Sequence, residues 1–149
     1  MNHSLSELDQ LIAVRRCEEA ILRFTAHMDA CEYGKMERYF AADGVWKRDG
    51  GDVCGTLQLR EQMAAVKPGR LMRHVISNMR TTFHAPDHAT VESYVTLYLH
   101  FYGDGDQAAP APLAGAAAVG RYKDEMRRID GEWKIQVRVP FHDFSAKPA

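Results

Sequence analysis

The sequence predicts one α+β domain, in which helices come first and an antiparallel meander follows. Three observations predict it. Apolar residues recur at helical spacing over the first thirty positions, the repeat changes to two after position 70, and turn residues separate the later segments. A chain of 149 residues has the size of one domain with one core.

The first element spans about Ser6 to Met28. Leu8, Leu11, Ile12, Cys17, Ala20, Ile21, Phe24 and Met28 supply an apolar face. Ser6 is placed to cap it, and Glu7 and Asp9 suit the positive end of the helix. A short helix is expected from Gly34 to Phe40, stopped by the Ala41–Gly44 run. Val45 to Lys47 opens a strand, and Asp49–Asp52 turns the chain. Thr56 caps a third helix that ends near Lys67, before Pro68 and Gly69.

Four long strands follow. Arg73–Phe83 and Ala89–Tyr102 flank a turn at Pro86 and Asp87, and the second is rich in Val, Thr, Tyr and Leu. Val119–Ile129 and Trp133–Phe144 flank Asp130–Gly131, a two-residue hairpin signature. Between the two pairs runs a flexible loop of low complexity, about 103–118, read either as a lid over a pocket or as a plain hairpin tip.

Composition excludes several classes of function. The 46% hydrophobic and 26% charged content is that of a globular protein, and the net charge of −1 attracts neither nucleic acid nor an anionic membrane. No apolar run approaches the roughly 20 residues that span a bilayer. The polar N-terminus is unlike a signal peptide, and the odd count of three cysteines, with no Cys-x-x-Cys, argues against disulfides or a zinc knuckle. A cytoplasmic location is expected.

Four polar residues are candidates for chemistry. Asp29 ends the first helix, either at the edge of the core, where it needs a partner, or on the surface. His74 shares a strand face with Ile76 and Asn78, a mixed face suited to a pocket wall or to a solvent-facing strand end. His100 lies on the face that carries Tyr94, Thr96, Tyr98 and Tyr102, opposite the stripe Val91, Val95, Leu97, Leu99 and Phe101. Either the tyrosine face lines a pocket, or a β-bulge shifts the phase. Arg138 points inward to hold an anionic oxygen, or outward beside Lys134 and Gln136.

A neutral imidazole is the natural base near pH 7, and a carboxylate bonded to its other nitrogen fixes the tautomer and stabilises the imidazolium. Such a dyad can remove a proton from carbon beside a carbonyl. No metal or cofactor is expected. His84 and His88 flank a turn (HAPDH), where helical i,i+4 ligand geometry does not apply. His142 and Asp143 read as a strand end. Arg70, Arg73 and Arg80 read as solvated surface.

Two long stretches carry a resemblance. RFTAHMDACEYGKMERYFAADGVW resembles the opening of SnoaL-like proteins of the nuclear-transport-factor-2-like superfamily. RHVISN and GRYKDEMRRIDGEWKI resemble its sheet, with Tyr122, Asp124, Arg128, Gly131 and Trp133 as the characteristic ending. The resemblance covers about Leu8 to Phe144. It implies a cone-shaped α+β barrel (cystatin-like), with N-terminal helices on a strongly curved sheet enclosing one pocket.

Within the superfamily the pattern is similar to scytalone dehydratase, the bile-acid dehydratase and hexachlorocyclohexane dehydrochlorinase. The resemblance implies a catalytic pair, Asp29 and His74, with His100 and Arg138 as further catalytic positions. It also implies Phe24, Met28, Trp46, Asn78, Tyr98 and Tyr122 as substrate-binding positions. Met28 and Phe24 stand where relatives carry tyrosines. The implied activity is a cofactor-independent dehydratase acting on a small cyclic or aromatic carbonyl compound. The alternatives are an isomerase or polyketide-cyclase-like enzyme, a ligand-binding module, and a non-catalytic dioxygenase β-subunit-like protein. A homo-oligomer, trimer or dimer, is implied through the aliphatic face of the Ala89–Tyr102 strand.

Overall fold

The computed structural model describes residues 6–103, 105, 107 and 110–146. Helix α1 (Glu7–Asp29) is followed by a short α2 (Tyr33–Met36), one 3-10 turn (Glu37–Tyr39), β1 (Phe40–Trp46), β2 (Val53–Cys54) and α3 (Gly55–Ala64). The four long strands β3 (Arg70–Ala85), β4 (His88–Phe101), β5 (Ala118–Ile129) and β6 (Glu132–Ser145) complete the chain. Their order across the sheet is β2-β1-β6-β5-β4-β3. β1 runs parallel to β6 and the other pairs are antiparallel, so the sheet is mixed. β2 and β3 are free edges. The sheet is therefore an open cone wall rather than a closed barrel.

Helix α1 begins where its cap is made: the Ser6 Oγ accepts the backbone N–H of Asp9 at 3.1 Å. Its buried face is Ala13, Cys17, Ala20, Ile21, Phe24, Thr25 and Met28. Leu8, Leu11 and Ile12, expected on that face, are exposed. The remaining stripe packs with Phe40, Val91, Met126, Trp133 and Ile135. Each large apolar side chain so buried contributes about 1.5–3 kcal/mol. Thr56 does not cap α3. Cys54 is the cap residue, and its N–H donates to Gln58 Oε1 at 2.8 Å.

The hairpin at Asp130–Gly131 is as expected: both residues have positive φ (51° and 82°), as a type I′ turn requires. Irregularities elsewhere decide which side chains face inward. In β3 the register slips between Ser77 and Arg80, around Asn78 with φ of 51°. This bulge turns Asn78 outward to solvent, although simple alternation placed it beside His74. In β6 the register slips around Gln136, whose side chain bonds Asp43 instead. Trp133 and Ile135 point into the core before the slip, and Arg138 does so after it.

On β4 the aliphatic stripe is the inner one. Ala89, Val91 and Val95 are buried and Tyr94 is exposed, although the far end of the stripe, Leu99 and Phe101, emerges from the core. The tyrosine face is the outer face, so the aliphatic stripe does not form the surface suggested for association.

Candidate active site

Asp29, the last residue of α1, faces β3. Its Oδ2 accepts the backbone N–H of His74 at 2.8 Å, and its Oδ1 lies 2.5 Å from His74 Nδ1. The side chains are 13% and 6% exposed, so water competes little for either bond. A carboxylate at a helix C-terminus faces the negative end of the helix dipole. Its position is sustained by two donors from one residue of another element. With Nδ1 occupied, Nε2 is the ring nitrogen available to a guest molecule.

That guest space is a cavity of ≈ 520 Å³ between α1, α3 and the sheet. His74, Met28, Trp46 and Tyr122 line it, as do Met63, Val66, Met72, Val95 and Leu97. Its remaining wall is polar, with Arg48, Arg70, Gln62 and His142. Arg70 is thus a lining residue rather than a solvated surface charge. His142 is one too, since alternation onward from Arg138 places Pro140 and His142 on the inner face.

Tyr122 is the one tyrosine among the described residues that lines the cavity. Burial pushes its phenol above the ordinary value. The Arg138 charge opposes this, while Asp124 and Asp29 push the same way. The hydroxyl accordingly stays protonated and able to donate.

Arg138 is fully buried but does not line the cavity. Its Nε and Nη2 donate to Asp124 Oδ1 and Oδ2 at 2.7 and 2.9 Å. The guanidinium lies 4.4 Å from the Tyr122 ring centroid and 5.0 Å from that of Phe24. This corrects the expectation that Arg138 meets an anionic oxygen directly: it stands behind the cavity wall, with Nε and Nη2 committed to Asp124 and Nη1 buried without a partner. Phe24 is likewise core rather than lining, stacked on Phe40 and edge-on to Trp46.

His100 and Tyr98 are not part of this site. Strand alternation sends both to the outer face, where they pair in register with Leu71 and Arg73. They line a separate hollow with residues of the 111–115 segment. Residues 111–115 of the long loop therefore border the outer face of the sheet, while Ala118 at its end lines the cavity. Residues 104, 106, 108 and 109 of that loop lie outside the described residues.

The chain matches the SnoaL-like domain model over residues 9–139. It belongs to the SnoaL-like family. Solved structures carry the same fold at low identity. Hexachlorocyclohexane dehydrochlorinase type 2 superposes with a TM-score of 0.79 at 18% identity, covering 97% of this chain and 94% of that one. A provisionally assigned scytalone dehydratase from Novosphingobium aromaticivorans gives 0.75 at 17%, covering 97% and 93%. A cystatin-like-fold protein of unknown function from Nostoc punctiforme gives 0.70 at 26%, covering 96% of each chain. No curated protein matches the sequence.

Apart from Tyr122, which lines the cavity, this SnoaL-like chain places the Tyr122–Trp133 signature in structural roles. Asp124 neutralises Arg138, Arg128 Nε donates to the Gly131 carbonyl at 3.5 Å, and Trp133 packs edge-on to Phe83. Among the described residues, no helix is long and apolar enough to cross a membrane.

Proposed function

We propose that this SnoaL-like protein is a cofactor-independent lyase of the dehydratase type, acting on a small cyclic or aromatic carbonyl compound. The observation that carries the reading is the Asp29–His74 pair, bonded through Nδ1 and largely buried in the cavity wall. His74 Nε2 takes a proton from carbon α to the carbonyl. Asp29 holds the ring in the productive tautomer and stabilises the imidazolium. The electron pair forms the new double bond as the β-hydroxyl leaves, and Tyr122 gives it a proton so that it departs as water. The imidazolium proton then returns to the Tyr122 phenolate through solvent, restoring both groups.

Tyr122 takes the acid role because His100 faces away. The apolar walls suit a ring, and the Arg48, Arg70 and Gln62 side favours polar substituents on it. A polyketide-cyclase-like or isomerase activity would begin with the same proton transfer. A ligand-binding module or a β-subunit-like assembly role would need no carboxylate-oriented base. Association into a dimer or trimer belongs to this proposal as well, through the outer sheet face where Val75 and Tyr94 are exposed.

The test is proton exchange in D₂O with a panel of cyclic ketones and β-hydroxy ketones, followed by NMR. Wild type should catalyse α-C–H exchange or loss of water, and His74→Ala should not. Equal exchange by both proteins would refute the base, and exchange without loss of water would move the assignment to an isomerase.

A further inference from the structure

A second group of convergent side chains lies on the outer sheet face, at the end of β3 and β4 away from the cavity. His84 and His88 flank the Pro86–Asp87 turn, with ring centroids 4.8 Å apart. Glu125 reaches the same point from β5, where Thr90 pairs with it in register. His88 Nε2 lies 2.9 Å from Glu125 Oε2, and His84 Nε2 lies 2.7 Å from Thr90 Oγ1. The Thr90 hydroxyl is 3.2 Å from both carboxylate oxygens of Glu125. One ligand atom from each of His84, His88 and Glu125 falls within 4.8 Å of the others.

We propose that His84, His88 and Glu125 form a three-ligand site for a divalent transition ion of the zinc class. Two imidazole nitrogens and a carboxylate are borderline donors that suit zinc, and water completes a tetrahedral set. Ligand atoms on one zinc lie about 3.3 Å apart at bond lengths of about 2.0–2.1 Å. The β4–β5 ladder fixes the backbones of His88 and Glu125, and His84 stands at the register slip between Phe83 and Ala85, where side-chain rotation with local adjustment of the bulge brings the three donors to that spacing. The ion replaces the hydrogen bonds of His88 to Glu125 and of His84 to Thr90. Thr90 keeps its bond to Glu125 and orients the carboxylate. The HAPDH run alone cannot reveal such a site, since the third ligand comes 37 positions after His88. The bound ion fastens the β3–β4 turn to β5 and plays no part at His74.

The test uses full-length protein stripped with EDTA and titrated with ZnCl₂ by calorimetry, then with CoCl₂ by visible absorption. Wild type should bind one equivalent saturably, give the intense d–d bands of tetrahedral cobalt, and melt at a higher temperature with zinc. His84→Ala, His88→Ala and Glu125→Gln should each weaken binding by at least about tenfold. His100→Gln, a histidine outside the cluster, should bind as wild type does. In the His74→Ala background the equivalent should persist, which separates this site from the dyad. Unsaturable binding to wild type, or affinity equal to wild type in all three ligand variants, would overturn the proposal. Circular dichroism in EDTA checks folding. Should His88→Ala fail to fold, the exposed His84→Ala decides alone.

Discussion

One carboxylate, that of Asp29, bonds His74 twice: Oδ2 takes the backbone N–H and Oδ1 faces ring Nδ1. The pairing ties the end of α1 to β3 and leaves the imidazole no freedom to flip. Asn at position 29 can accept one of these bonds but must turn an NH₂ toward the other donor. Asp29→Asn should therefore lower kcat on the order of 10³-fold or more while the protein remains folded. His74→Ala should do the same, and the double variant should be no worse than either single one, because the two act as a unit. Steady-state kinetics with any substrate found by the exchange screen, beside circular dichroism, checks this. Additive losses would show that the residues act separately.

Tyr122 sets a second expectation. Its pKa lies above the ordinary phenol value of about 10, burial being the main cause. As general acid it must be protonated, so activity should hold up to that value and fall only above it. Tyr122→Phe should lower kcat about 10²-fold or more and remove any alkaline limb that belongs to the phenol. His100→Ala should leave kcat within about twofold, since it lies across the sheet. The sign for stability runs the same way. A phenol whose folded pKa is raised releases its proton first from the unfolded chain, so its contribution is complete below about pH 10 and is lost as pH climbs toward the folded value. A pH–rate profile and a pH–melting series test the two halves.

The helix-then-meander order, the Ser6 cap and the Asp130–Gly131 turn were legible because each depends on neighbours in sequence. Asp29 and His74 are each candidates from their place in the pattern, but their pairing is implied only by the resemblance, since nothing local says that a helix end meets a strand 45 residues on. What failed was phase. Bulges at Asn78 and Gln136 reset the inward face within a strand, and no period-two count foresees where they fall. His100 misled for the opposite reason: β4 has no slip there, so plain alternation held and carried it outward. Arg138 was placed inward correctly by the resemblance, but its buried partner Asp124 changes what it can do.

Removing one member of the Arg138–Asp124 pair should be costly. Both side chains are fully buried, and each balances the other's charge. Asp124→Asn leaves a guanidinium without a counter-ion between the rings of Phe24 and Tyr122, where the remaining cation–π contacts recover only part of the loss. A destabilisation of about 3–5 kcal/mol is expected. The double variant Asp124→Leu/Arg138→Met should recover much of it, because no charge is then left buried. Urea unfolding of the three proteins closes the cycle, and a double variant as unstable as the sum of the singles would show that packing dominates instead. Any recovered double variant should still lose activity, since the support under Tyr122 has changed.

Gly120 tests the sheet beneath the cavity. It lines the pocket at a register slip in the β5–β6 pairing, where the strands approach so closely that a Cβ would stand 2.0 Å from the Phe141 carbonyl oxygen. That neighbour is backbone, so it cannot rotate aside as a side chain would. Gly120→Ala must force β5 from β6 at the pocket floor, at a cost of about 1–3 kcal/mol or more. Gly34 gives the matched contrast. It lies in α2 with nothing within 4 Å of its Cβ position, and there alanine should be neutral or stabilising by up to about 1 kcal/mol. Urea midpoints measured for both substitutions should move in opposite directions or differ by at least the larger cost. If Gly120→Ala proves as benign as Gly34→Ala, the strands are further apart than the pairing around Phe141 requires, and the floor of the cavity would have to be redrawn.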